Sequence, residues 1–368
     1  MNSFQRLKSR GQRVTRLGMQ LWRQVREEFP AALTMSANGA RQVGKKTRRD
    51  RATALKEIVY WVVAEFEIHS ISHLKRKHIA AYCKDMEDRK LRPATICTKL
   101  SHLAALCRAL GKDHLLDDRE SLFSDASILR RSLVASCDKS IEAAGVDFDS
   151  IYAAAYTQNP RVAVQLALCR RFGLRAQEAW CFRPHLALRD GFVQVSWGTK
   201  GGRPRKLTEP MTDEQRYLIE LAKTFAATAA ESTVPRGCSL KKWKTIFYRV
   251  VRKSGLSRRQ SRATPHSLRH SYAQRQYDRV TQRLAPIKGG TLAQDDPPAD
   301  RAAREIVSSE LGHSRPSIAS AYIGGARLSR DGDARRLEQE SLENRDLGNA
   351  SAPPAEPIAP SVIDAIPD

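Results

Sequence analysis

The chain has 368 residues, with 63 lysines and arginines against 40 aspartates and glutamates, a formal net charge of +23. The length is enough for two or three domains with a sizeable core. A mean hydropathy of −0.50, no run of roughly 18 apolar residues and no apolar block in the first thirty residues argue against a membrane span or a secretory leader, and for a soluble protein.

The seven cysteines, Cys83, Cys97, Cys107, Cys137, Cys169, Cys181 and Cys238, are scattered and form no C-x-x-C pair. Neither a zinc site nor a disulfide framework is indicated, and a reducing cytoplasm fits best. An isoelectric point near 10.1 points to a polyanionic partner: nucleic acid, an anionic membrane or the ribosome. Charge alone does not choose among them.

Residues 1–50 hold 12 basic and 3 acidic residues and suggest a flexible basic arm on a DNA backbone. From about Arg51 the pattern turns helical. Leu55, Ile58, Val59, Val62 and Val63 recur at three- and four-residue steps, placing one apolar stripe on a helix. Further helices are expected over about 74–88 and, after Leu91-Arg92-Pro93, over about 94–110, giving a small all-helical domain over 51–119. A mixed polar linker is expected over 120–147 and a second domain over 148–330. From Asp333 to Asp368 the sign reverses, with 3 basic and 8 acidic residues and five prolines. The tail over 331–368 is expected to be largely disordered, although its first part, near Arg335 to Leu342, could dock on a neighbouring subunit.

Within the second domain, residues 162–169 are apolar except for Gln165, which predicts a buried helix ended by Gly173. Residues 186–197 predict two short strands around Asp190-Gly191. A glycine-rich turn from Thr199 to Gly202 leads to a further strand near Arg205 to Leu207. Over 241–253, Trp243, Ile246, Phe247, Val250 and Val251 form a core face, while Lys241, Lys242, Lys244, Arg249, Arg252 and Lys253 occupy most of the rest. Such a helix repels itself unless an anion lies against it, so these six are candidate DNA-binding residues. A membrane-surface role fits less well, because the apolar residues belong to a longer globular pattern. Residues 284–303, rich in Gly, Pro and Asp, predict a surface loop.

Four segments carry chemistry. In Gly173-Leu174-Arg175-Ala176-Gln177-Glu178, the carboxylate of Glu178 can hold the Arg175 guanidinium on one helix face. Lys200 sits at the tip of the glycine-rich turn. In Thr264-Pro265-His266-Ser267-Leu268-Arg269-His270, Thr264 suits an N-cap and Pro265 the first helical position. His266 and Arg269 then converge where a helix N-terminus favours an anion. Leu311-Gly312-His313 is followed nine residues after the histidine by Tyr322. Each segment alone is ordinary. Together they supply cations, histidines and a phenol with no acidic triad, an inventory suited to phosphoryl transfer without a metal.

In that order and spacing, over residues 173–322, the four segments resemble the tyrosine recombinases (phage-type integrases), and the helical unit is similar to their core-binding domain. The resemblance implies a mainly α fold with a small antiparallel β-sheet, a helical core-binding domain followed by an α+β catalytic domain. It implies that Arg175 and Arg269 bind the scissile phosphate, that Lys200 (or, less simply, nearby Lys206) protonates the 5′-oxygen, and that His266 accepts the tyrosine proton or orients the phosphate. His313 would hydrogen-bond a non-bridging oxygen, Tyr322 would form a 3′-phosphotyrosyl link, and Glu178 and His270 would support them. The implied activity is site-specific DNA recombination for a mobile element, needing no metal, cofactor or ATP. Implied partners are double-stranded DNA at attachment or crossover sites, a homotetramer working through a Holliday junction, and accessory DNA-bending or directionality proteins, in the cytoplasm at the nucleoid and not on a membrane. The alternatives are a non-catalytic DNA-binding accessory protein on the same scaffold and a type IB topoisomerase-like enzyme. One departure is the 47-residue interval from His266 to His313, longer than the family's usual gap.

Overall fold

The structure, a computed structural model, describes residues 11–130, 132–207, 211–313 and 315–325, with backbone alone for residues 11–13. The expected acidic tail lies outside the described residues. The chain divides into two compact units, residues 1–132 and 133–368. The fold is mainly helical with one small antiparallel sheet. No helix among the described residues is long and apolar enough to cross a membrane.

The first unit is built on α1 (Gly11–Glu27), α2 (Lys45–Phe66), α3 (Arg76–Asp88) and α4 (Pro93–Ala109). The expected stripe of Leu55, Ile58, Val59, Val62 and Val63 is buried along α2. The described part of this segment, residues 11–50, differs from a flexible arm. Val14, Leu21 and Val25 of α1 are buried in the same core as Leu55 and Ile58, and the Gln24 side chain accepts the Ile71 backbone N–H at 2.9 Å. The spacing of Val14, Leu17, Leu21 and Val25 already makes one helical face. The arginines on the remaining positions mask it in a count of charge.

In the second unit, α5 (Phe148–Gln158) and α6 (Pro160–Phe172) lead into α7 (Ala176–Trp180). Asn159 caps α6 through the Val162 N–H at 3.3 Å, with Pro160 at the first position. Gly173, at φ 58°, ends it in the left-handed region. Gln165 is buried without being orphaned. It accepts from the Trp243 indole at 3.0 Å and donates to Thr233 Oγ1 at 2.9 Å. Strands β1 (Leu188–Arg189), β2 (Phe192–Val195) and β3 (Arg205–Leu207) pair in that order, with Val193 opposite Leu207 and Val195 opposite Arg205. Asp190 and Gly191, both at positive φ, make the expected two-residue turn.

Next come α8 (Asp213–Lys223), α9 (Leu240–Lys253) and α10 (Pro265–Thr281). Trp243, Phe247, Val250 and Val251 of α9 are buried. The surface loop expected over 284–303 is a correction. It holds a helical turn Leu292–Asp295 and the start of α11 (Pro297–Glu310), and Ala285, Leu292 and Ala303 are buried in a core with Tyr272 and Tyr322. Asp296 caps α11 through the Ala299 N–H at 3.1 Å, and Pro297 takes the first helical position. The residues that look like loop punctuation here start a helix. A last short helix, α12 (Ser320–Ile323), carries Tyr322.

Leu21 lies wholly inside the first unit's core. Leu21→Ala is expected to lower the unfolding free energy by about 2–5 kcal/mol, read by urea unfolding. A surface arm would leave it unchanged.

Candidate active site

The site grows from the end of α6. The helix stops at Gly173, and Arg175 becomes the N-cap residue of α7. The Glu178 side chain turns back to accept the Arg175 backbone N–H at 2.8 Å and its guanidinium at 2.5 Å. Glu178 is fully buried and gathers two further arginines, Arg205 at 2.7 Å and Arg269 at 3.7 Å. Burial alone would raise this carboxyl. Arg205, Arg269 and Arg175 outweigh it and hold Glu178 below the usual carboxylate range.

Arg269 enters from the first turn of α10, where Ser267 accepts the Thr264 N–H at 3.2 Å. Its guanidinium is fully buried and donates to the carbonyls of Gly173 and, at 2.5 Å, Leu311. Burial and then Arg205 push it down to about 10, so it stays cationic at neutral pH. Its Nε donates to the Tyr322 hydroxyl at 3.4 Å. Arg175 reaches the same place from the other side, its Nη2 lying 3.0 Å from His313 Nε2.

Tyr322 is buried among rings. His313 stacks on it with centroids 5.7 Å apart and planes at 30°, His270 is 4.8 Å away, and His266 is 5.9 Å away. Desolvation, then Arg269 and Arg175, push His266 down to about 4. Its ring edge is nonetheless exposed to solvent. Desolvation with Arg269, Arg175 and Arg205 pushes His313 to about 3. His270 falls to about 3 by desolvation, His266 and Lys139, against the nearby Asp138. All three imidazoles are neutral at pH 7, so His313 Nε2 accepts from Arg175 and its proton sits on Nδ1, an atom without a hydrogen-bond partner among the described residues.

The structure thus brings together Arg175, His266, Arg269, His313 and Tyr322, with Glu178 and His270. It does not bring Lys200 in. That residue sits on the exposed turn Lys200–Gly202 between β2 and β3, and among the described residues no hydrogen bond ties it to the cluster. Lys206 is directed elsewhere, its ammonium 3.6 Å from the Phe192 ring centroid. Lys241, Lys242, Lys244, Arg249, Arg252 and Lys253 are all exposed on α9, and none forms an ion pair among the described residues. Sequence reasoning missed Arg205, which donates to the Glu310 carbonyl as well as to Glu178. The available signal was strand alternation. Arg205 and Leu207 point inward and Lys206 outward, so a cation occupies a core position.

Three guanidiniums around one carboxylate leave a surplus of positive charge beside a phenol and neutral histidines, an arrangement fitted to an anionic oxygen cluster and in-line attack on it. Residues 131–275 match the family model described as Integrase. That match takes in Arg175, His266 and Arg269 of the site. The fold is similar to that of a lambda integrase dimer bound to a COC′ core site (TM-score 0.53, 17% identity, covering 83% of this chain and 95% of that one). It is also similar to that of a lambda integrase tetramer bound to a Holliday junction (TM-score 0.52, 17% identity, 79% and 75%). No curated protein sequence matches the chain.

The three histidines make stability depend on pH with a definite sign. Their values are lower in the folded chain than the ordinary 6.5, so the unfolded chain binds protons first as pH falls. Their contribution is complete above about 6.5 and is lost progressively toward about 3, and Glu178 acts in the same direction below its ordinary 4.5. Urea midpoints are expected to fall through this window, and less steeply in His270→Phe.

Proposed function

We propose that the chain is a site-specific DNA recombinase that cuts and rejoins strands through Tyr322. The observation that carries this reading is the convergence of Tyr322, Arg269 and the Arg175–His313 pair on one pocket. Arg175 and Arg269 hold the non-bridging oxygens of a backbone phosphate and stabilise the charge that builds on them. Tyr322 Oη attacks phosphorus while neutral His266 takes its proton or orients the phosphate. The P–O5′ bond breaks, and Lys200, carried in by its turn, supplies the proton to the departing 5′-oxygen. The phosphotyrosyl bond stores the energy of the broken diester. A 5′-hydroxyl from another strand reverses the step without ATP.

As phosphate enters, the Arg175–His313 hydrogen bond is exchanged for bonds to the phosphate, so two donors turn toward the substrate at once. The first unit serves as the core-binding domain, and the exposed cations of α9 lie along the DNA backbone. The chain acts as a homotetramer on two duplexes at attachment or crossover sites, with accessory bending or directionality proteins, in the cytoplasm at the nucleoid. The DNA-bound and Holliday-junction assemblies of the lambda integrase relatives support this arrangement.

Incubation with nicked DNA in EDTA, followed by denaturation, is expected to give a covalent protein–DNA adduct with the native chain and none with Tyr322→Phe, while both bind DNA equally. Binding without any adduct, even on the cognate site, would favour the accessory-protein reading. Relaxation of supercoils without strand exchange would favour the topoisomerase-like one. Replacing Lys241, Lys242 and Lys244 by Gln is expected to flatten the dependence of log affinity on log salt by about 0.9 for each phosphate that is no longer neutralised, with adduct formation retained at low salt.

A further inference from the structure

The nucleophile-bearing helix α12 is one turn long, too short to fix its own orientation. What fixes it comes from the long stretch between His266 and His313. Arg304 of α11, almost fully buried, donates through Nη1 to Ser320 Oγ and to the Gly324 carbonyl, each at 2.9 Å. Those two residues flank Tyr322 on either side. The guanidinium is itself fixed by Asp300, which accepts from Arg304 Nε at 2.6 Å and from the buried Tyr277 hydroxyl at 2.6 Å. The same stretch closes on the far end of the helix. A Cβ on Gly324 would lie 2.9 Å from the Ile287 backbone nitrogen, so the two backbones meet with no room for a side chain. Gln274 Nε2 adds a bond to the Tyr322 carbonyl at 3.3 Å, and the Ala135 N–H one to the Ser320 carbonyl at 2.9 Å.

We infer that Arg304, braced by Asp300 and Tyr277, is a positioning residue that holds the backbone of Tyr322 in place beside Arg269 and His313. The inference rests on Tyr322 being the nucleophile. Arg304 touches neither the phosphate nor the phenol. It fixes the backbone that carries the phenol.

The test is single-turnover adduct formation on nicked DNA. Arg304→Ala is expected to slow it by about 100-fold, the scale of an ångström-sized misplacement of a reacting group, with DNA affinity unchanged. Arg304→Lys, able to keep one of the two clamping bonds, is expected to recover part of the rate. Ser320→Ala leaves the Asp300–Arg304–Tyr277 network intact and is expected to slow the reaction to a smaller extent, which keeps the inference testable if Arg304→Ala fails to fold. Unchanged rates in these variants, or a loss of rate matched by a loss of affinity, would overturn the positioning role. Absence of adduct from the native chain would instead remove the nucleophile assignment on which the inference stands.

Discussion

The buried carboxylate of Glu178 is the interaction on which the second unit depends. Three guanidiniums approach it from three different elements: Arg175 at the start of α7, Arg205 on β3 and Arg269 on α10. Without it, three like charges would face one another in a poorly solvated space, and the repulsion would open the pocket. With it, helix end, sheet and central helix are tied to one point. One negative charge does not neutralise three positive ones, and under the proposed function the remainder is what a backbone phosphate would meet. The structural requirement and the chemical one are therefore satisfied by the same imbalance.

Much of this was legible in the sequence because its parts are local. Glu178 follows Arg175 by three, Arg269 follows His266 by three, and Tyr322 follows His313 by nine, so short spacings placed them on shared helix faces or adjoining turns. The end of α6 at Gly173, the turn at Asp190-Gly191 and the core stripe of α9 followed from punctuation and periodicity in the same way. Arg205 escaped because its meaning lies in a cross-strand register, Val195 opposite Arg205, which no local pattern states. Helix α1 escaped because arginines at its outward positions dominate the count of charge while four apolar residues do the packing. The segment 284–303 escaped because Asp and Pro serve both loops and helix starts, and only the apolar partners of Ala285 and Leu292 decide between them.

The neutral state of the three histidines gives the site its direction. A protonated His266 could not accept the tyrosine proton, and a protonated His313 would add to a charge surplus already large. Burial and the arginines prevent both. Under the proposed function, the cations that would bind the phosphate are thus the same ones that would keep His266 free to act as a base, and pH sensitivity would be shared by folding and by chemistry.

Gly173 draws these threads into one atom group. Its left-handed backbone ends α6, its carbonyl accepts from Arg269 and, at 3.5 Å, from Arg205, and a Cβ there would overlap the Tyr272 ring. The Tyr272 hydroxyl in turn donates to Glu310, whose own carbonyl receives Arg205. Termination of a core helix and assembly of the arginine cluster are consequently a single event. Under the proposed function, an incompletely folded chain on DNA would have no assembled site to cut with, so strand breakage would be available only to a molecule also able to reseal.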